Sequence, residues 1–208
     1  MLTKVPATPP ESWITLQDEQ QFADRPEIAL LESRLGDKYQ GWSGFQGNLT
    51  IAVASGALLD ALKTLRDHAG YDHFSFMTCS HWPETPDEGF HLVYQLYNRA
   101  TAAWVRIKCF VADTPHATIA SACAVYPAAE WHEDEVWDLF GITFAHHPNP
   151  RRLLTPDMYD GFPLRRDFPL EGEPLREFQD KLINQWNASD SRDYQGKTGD
   201  PWMDRLST

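Results

Sequence analysis

Two stretches of strict alternation joined by a short turn restrict the fold more than any other feature of this chain. Phe90, Leu92, Tyr94 and Leu96 fall on one side of an extended segment, Val105, Ile107, Cys109 and Val111 fall on one side of the next, and residues 98–103 separate them. Apolar residues at a period of two mark strands with one buried face. A separator this short returns the second strand beside the first, because parallel pairing needs a crossover of a dozen or more residues. The pair is therefore an antiparallel hairpin, which argues against an all-parallel, doubly wound architecture. Cys109 shares the inner side and reads as a buried thiol.

The flanking segments extend this picture. Leu49, Ile51 and Val53 alternate within a strand at 48–54, and Phe74, Phe76 and Thr78 mark another. Between them Leu58, Leu62, Leu65 and Ala69 recur at helical spacing, from a Ser55 cap to a Gly70 stop. Residues 28–35 give a short amphipathic helix ended by Gly36. The stretch 114–144 reads as helical with a short strand at its end, and Pro127 and Gly141 suit the two ends of a helix over 127–140. The expected fold is α+β, a two-layer domain with a mixed or antiparallel sheet packed against helices, followed by an extended C-terminal docking tail. Its parts are a loose arm over 1–27, Pro- and Thr-rich over 1–12, an α+β core over 28–145, and an Arg/Pro-rich segment and tail over 146–208. Within the tail, Phe178, Leu182, Ile183 and Trp186 allow one short amphipathic helix, over about 175–186.

Composition removes several functions. Eighteen Lys and Arg against 30 Asp and Glu leave a formal charge of −12, which argues against nucleic acid as a main partner. Eight Trp, 7 Tyr and 11 Phe are too many for a disordered acidic polymer. Cys79, Cys109 and Cys123 contain no C-x-x-C pair, so a reducing compartment is expected and an iron–sulfur or zinc cage is not. No export signal is visible at the start, and no apolar run approaches the roughly 20 residues of a membrane span. There is no G-x-G-x-x-G and no phosphate-cradling loop. Gly41-Trp42-Ser43-Gly44 falls one residue short of a nucleophile elbow. His132-Glu133 begins like a zinc-protease helix, but Val136 stands where the second His belongs.

What remains is the dense segment Glu130–Leu154. On a helical wheel Glu133 falls inside the apolar face, about 40° from Ala129, whereas Asp134 and Asp138, at about 140° and 180°, face away with Glu130 and Glu135. A carboxylate on a core face needs a cation or several donors. The nearest cations in sequence are Arg151 and Arg152, reached after Gly141 reverses the chain. Together with Arg165 and Arg166, which Pro163 and Pro169 hold extended, they form a carboxylate-seeking stripe suited to lying along a partner. Local ion pairs with Asp157, Asp160 and Asp167 are the alternative. His146, His147 and Glu133 also suggest a metal site, but adjacent histidines diverge, no second carboxylate is spaced to help, and Pro148 stiffens the chain.

These residues resemble a known family. Trp131-His-Glu-Asp-Glu-Val-Trp-Asp-Leu-Phe-Gly-Ile-Thr-Phe144, His147-Pro148, Arg151-Arg152-Leu153-Leu154-Thr155-Pro156 and Phe162-Pro-Leu-Arg-Arg-Asp-Phe-Pro-Leu170 are similar to the signature of the 30 kDa-type subunit, the C subunit, of the proton-pumping NADH:quinone oxidoreductase, respiratory complex I. The match runs over about 128–170. This chain departs from the family pattern at Asp134, where relatives carry Arg, at His146, where they carry Gly, and at Pro150, where they carry Leu.

The resemblance implies a cofactor-free structural subunit of the peripheral arm, supporting electron transfer from NADH to quinone. It places FMN, iron–sulfur clusters and quinone in partner subunits. The implied partners are the large quinone-site subunit and neighbouring iron–sulfur subunits, with no nucleic acid and no transmembrane segment, and the implied location is peripheral, on the cytoplasmic side of the bacterial inner membrane. It assigns no catalytic, cofactor-binding or metal residue. Packing or docking falls to Glu133, Glu135, Asp138, Gly141, His147, Pro148, Arg151, Arg152, Arg165, Arg166 and Asp167. The alternatives are the equivalent subunit of a membrane-bound nickel–iron hydrogenase or formate hydrogenlyase, and an independent metal hydrolase using His132, His146, His147 and Glu133.

Overall fold

The structure is a computed structural model that describes residues 22–45, 47–157 and 159–170, with 180, 181, 183 and 184. Helix α1 (Pro26–Leu35) precedes strands β1 (Tyr39–Phe45) and β2 (Asn48–Ala54), helix α2 (Leu58–Ala69) and strands β3 (His73–His81), β4 (Phe90–Asn98) and β5 (Ala103–Val111). Strand β6 (Thr118–Ala120), helix α3 (Ala129–Phe140) and strand β7 (Thr143–Ala145) complete the core. Five strands form one sheet in the order β1-β2-β5-β4-β3, with β2 and β5 parallel and the other neighbours antiparallel. The sheet is mixed, and helices pack on its inner face, which makes the domain α+β.

The hairpin has the register its alternation demands. Leu96 faces Val105, Tyr94 faces Ile107, Leu92 faces Cys109 and Phe90 faces Val111. These side chains are buried, and Leu58, Ala61, Leu62 and Leu65 of α2 join them in the core. The turn is tied to the helix layer by Asn98, whose Oδ1 accepts from the N–H groups of Ala100 and Thr101 and whose Nδ2 donates to the Ala69 carbonyl at 2.9 Å. One side chain thus satisfies a turn and an orphan carbonyl at a helix end.

Two elements differ from the expectations of sequence. Strand β1 carries Gly41 and Gly44 and shows no alternation, so it has no sequence signal; it exists by pairing with β2, with a register shift between Tyr39 and Gly41, whose φ is 111°. The helical reading of 114–126 is also wrong. Residues 118–120 are extended and pair in parallel with β7, Ile119 opposite Phe144, in a second sheet of two strands, and a single 3-10 turn at Ala122–Ala124 leads towards α3. The apolar content of 117–126 is buried as a strand and a turn, a choice that periodicity alone does not make for so short a run. The resulting β6-α3-β7 unit brings the 3-10 turn against the middle of α3.

Among the described residues, those up to Pro156 and Gly161–Phe168 pack as one unit, whereas 157, 159, 160, 169 and 170 belong to a second. Of the expected tail helix over 175–186 only 180, 181, 183 and 184 are described, and these are helical; the docking tail otherwise, and most of the N-terminal arm, lie outside the described residues. Among the described residues no helix is long and apolar enough to cross a membrane.

Candidate partner-docking site

Helix α3 places three carboxylates in the interior: Glu133 and Asp138 are 0% exposed and Asp134 is 1% exposed. The outward assignment of Asp134 and Asp138 is therefore overturned. A helical wheel sees only the side that packs on the sheet. In the structure the segment after β7 returns over the opposite side of α3 and buries it.

Asp138 holds that return. Its Oδ2 accepts from three successive backbone N–H groups, Leu153 at 3.1 Å, Leu154 at 2.7 Å and Thr155 at 2.8 Å. Its Oδ1 accepts from the Arg152 guanidinium at 2.8 Å and from the Thr155 hydroxyl. Successive N–H groups converging on one anion form a nest. Burial would raise the Asp138 pKa, but the Thr155, Leu154 and Arg152 donors outweigh it and hold the group at about 2. Gly141 makes the reversal possible: its φ is 77°, and a Cβ there would lie 2.5 Å from the Phe162 ring. The incoming strap also satisfies a helix-end carbonyl, since Leu164 N–H donates to Leu139 at 3.1 Å.

Glu133 is inward, as expected, but its partners are not arginines. Oε2 accepts from the Ser121 hydroxyl at 2.6 Å and Oε1 from the Ala122 N–H at 2.6 Å, with the Cys123 thiol 3.5 Å from Oε2. The 3-10 turn after β6 supplies these donors, so the missed strand is the reason the partners were missed. Desolvation raises the Glu133 pKa, and these donors only partly offset it. Arg151 pairs instead with Asp134, its N–H 3.3 Å from Oδ1 and its Nε 3.5 Å from Oδ2. His147 lies beside both carboxylates, Nε2 3.9 Å from Glu133 and 3.7 Å from Asp134, and 3.2 Å from the Glu130 carbonyl. His132 instead packs its ring 5.7 Å from Phe74, and His146 is exposed at φ 66°. The four-residue metal set of the hydrolase alternative is thus not brought together. A left-handed backbone at 146 also explains why glycine suits that position.

A second clasp, with no signal in the sequence, fixes the other arginine pair. His81, 3% exposed at the end of β3, has Nε2 3.0 Å from Asp113 Oδ2, and its Nδ1 accepts from the Arg166 N–H at 2.9 Å. A backbone N–H can only donate, so Nδ1 is proton-free and the Nε2 proton goes to Asp113. Arg165 donates to the other Asp113 oxygen at 2.8 Å and to Asp167 at 3.0 Å. That bond holds the Asp167 carboxyl below its ordinary value.

The four arginines therefore divide. Arg152 and Arg165 are spent on internal clasps, whereas Arg151 and Arg166 are about half exposed. Arg151 stacks over Trp131 at 5.1 Å and Arg166 over Trp82 at 4.8 Å. Trp131, Leu154 and Leu164 are large apolar side chains left in solvent. Glu135 is half-buried and Pro148 exposed.

The family model described as "Respiratory-chain NADH dehydrogenase, 30 Kd subunit" matches residues 51–174, a span that contains both clasps. The chain belongs to this family. The NADH-quinone oxidoreductase C-type subunits numbered 2 in Rhizobium etli and Rhizobium meliloti are 36% and 33% identical, covering 74% and 76% of this chain and 79% and 85% of theirs. The corresponding C-type subunit of Rhodopseudomonas palustris is 40% identical over 61% of each chain. Among solved structures, a trypsin-resistant fragment of Nqo5 matches with TM-score 0.50 at 21% identity, covering 58% of this chain and 96% of the fragment. A chain of the membrane-bound sulfane sulfur reductase, an archaeal respiratory membrane complex, matches with TM-score 0.56 at 22% identity, covering 74% of this chain and 88% of its own. Both likenesses are of fold.

Proposed function

We propose that this chain is the 30 kDa-type subunit of an NADH-quinone oxidoreductase, a structural member of the peripheral arm that holds no redox group of its own. The observation that carries the reading is the 36% identity to the Rhizobium etli relative over 158 residues. The names of the Rhizobium, Bartonella and Rhodopseudomonas relatives favour this complex over a hydrogenase-type one. FMN, iron–sulfur clusters and quinone belong to the partner subunits in this reading. The docking surface is the strap: the internal clasps fix its backbone, and Arg151, Arg166, Leu154 and Leu164, with Trp131 of α3 under Arg151, face the large quinone-site subunit and neighbouring iron–sulfur subunits. Aromatic and arginine side chains on a rigid backbone are the usual anchors of such contacts. The assembly sits on the cytoplasmic side of the bacterial inner membrane.

Purification through a tag on this chain from detergent-extracted membranes tests the reading. Mass spectrometry should find an NADH-binding flavin subunit in the complex; a nickel-ligating cysteine protein in its place would overturn it. The double variant Leu154→Asp/Leu164→Asp, at side chains that are exposed in the free chain, should leave its melting temperature within a few degrees and abolish co-purification. Full assembly of that variant would refute the docking surface.

A further inference from the structure

The Glu133 region contains a donor set that the docking role does not use. Cys123 Sγ, Glu133 Oε2 and His147 Nε2 all lie within 4.8 Å of one another, contributed by the 3-10 turn after β6, the middle of α3 and the segment after β7. Glu133 and His147 also line a cavity of about 150 Å³, with Asp134 beside them on its polar side and Trp137 and Phe144 on its apolar side. Asp134 Oδ2 is buried there without a hydrogen-bond partner. Two adjacent carboxylates in the interior share one nearby guanidinium, the half-exposed Arg151 3.5 Å from Asp134, and this local surplus of negative charge favours a bound cation.

The spacing suits a cation. With metal–sulfur bonds of about 2.3 Å and metal–oxygen and metal–nitrogen bonds of about 2.0–2.1 Å, a tetrahedral ion holds its sulfur and oxygen ligands about 3.5 Å apart and its nitrogen and oxygen ligands about 3.3 Å apart. Here Cys123 Sγ is 3.5 Å from Glu133 Oε2 and His147 Nε2 is 3.9 Å from the same oxygen. Closing the second gap asks for about 0.6 Å, and Cys123 Sγ and His147 Nε2, which lie within 4.8 Å of one another, must also approach to about 3.5 Å, so the histidine segment has to move inward by up to roughly 1 Å. We propose that Cys123, Glu133 and His147 bind one divalent ion of the zinc class, with Asp134 or a water as fourth ligand. A thiolate, an imidazole and carboxylates select a borderline-soft ion over magnesium or calcium.

Protons balance as follows. The thiol loses its proton to solvent. The Nε2 proton of His147, which faces the Glu130 carbonyl at 3.2 Å, is exchanged through solvent for one on Nδ1, which breaks that hydrogen bond and the 3.3 Å one from the Asn149 N–H and leaves a neutral imidazole as ligand. Any proton on Glu133 is also displaced. Occupancy would therefore rise with pH and would tie together three chain segments on which the return of the strap depends.

Titration of the full-length chain with cobalt(II) alone, under reducing conditions, tests this. Tetrahedral thiolate ligation should give visible d–d bands and a near-ultraviolet charge-transfer band that saturate at one equivalent and disappear when zinc is added. Cys123→Ser should remove the charge-transfer band, whereas Cys109→Ser should keep it. Because a variant can fail to fold, wild-type Cys123 should also be alkylated by iodoacetamide at least tenfold more slowly with one equivalent of zinc, read by peptide mass spectrometry. Absence of the bands, their survival in folded Cys123→Ser, or alkylation unaffected by zinc would each overturn the site.

Discussion

Replacing Asp138 by Asn is the most demanding test of how the arginine-bearing strap is held. The amide keeps one acceptor, but its NH₂ must face either the Arg152 guanidinium or the three N–H groups of 153–155, so donors oppose donors wherever it turns. Arg152, whose side chain is 14% exposed, loses the carboxylate that balances its charge in a mostly buried setting. Breaking a buried, hydrogen-bonded pair from one side costs about 3 to 5 kcal/mol, and urea denaturation of the free chain should show a loss of that size. The pH dependence adds a signature that packing damage cannot imitate. The folded pKa of about 2 lies below the ordinary carboxyl value of 3.8. The unfolded chain therefore binds the proton first as pH falls, and the stabilisation present above pH 4 disappears between about pH 4 and 2, a change of roughly 2 kcal/mol. The variant should lack this contribution, so its stability should fall less steeply over that window. A loss under 1 kcal/mol at neutral pH, or acid limbs of equal slope in the two proteins, would refute the clasp.

Other expectations follow from neighbouring geometry. Glu133→Gln should cost at least 2 kcal/mol less than Asp138→Asn in the same urea assay, because burial already favours a neutral group at 133; equal losses would contradict this. Gly141→Ala should lower stability by about 2 kcal/mol or more, since its Cβ would meet the Phe162 ring at 2.5 Å, whereas Gly36→Ala, with open space around it, should cost about 1 kcal/mol; matched thermal melts compare them. His81→Phe keeps the stacking on Phe90 but loses both ring hydrogen bonds, so trypsin should cut after Arg165 or Arg166 several-fold faster than in the wild type. Unchanged cleavage would show that the strap is held without His81.

Elements whose apolar residues repeat regularly along their own segment were legible before any packing was known. The β4–β5 register, the α2 stripe from Leu58 to Leu65 and the glycine stop of α3 are local patterns, and each pattern admits one arrangement of apolar side chains against a core. The family signature from Trp131 to Leu170 was legible for the same reason, as fixed residue types at fixed spacing. Glu133 was already inward on the wheel, but the burial of Asp134 and Asp138, and the donors that hold all three carboxylates, come from the packed fold. Asp134 and Asp138 look solvated on a wheel because a wheel knows a helix and one packing face; the strap that covers the other face arrives more than ten residues later and carries no periodicity. Strand β6 was illegible because three residues are too few to show a period, and with it went the donors to Glu133. His81 and Asp113, which are 32 residues apart, meet the strap only because β3, β4 and β5 pair side by side. Sequence spacing encodes what a segment does with its own neighbours, and the clasps are made between segments that only the packed sheet and helix bring together.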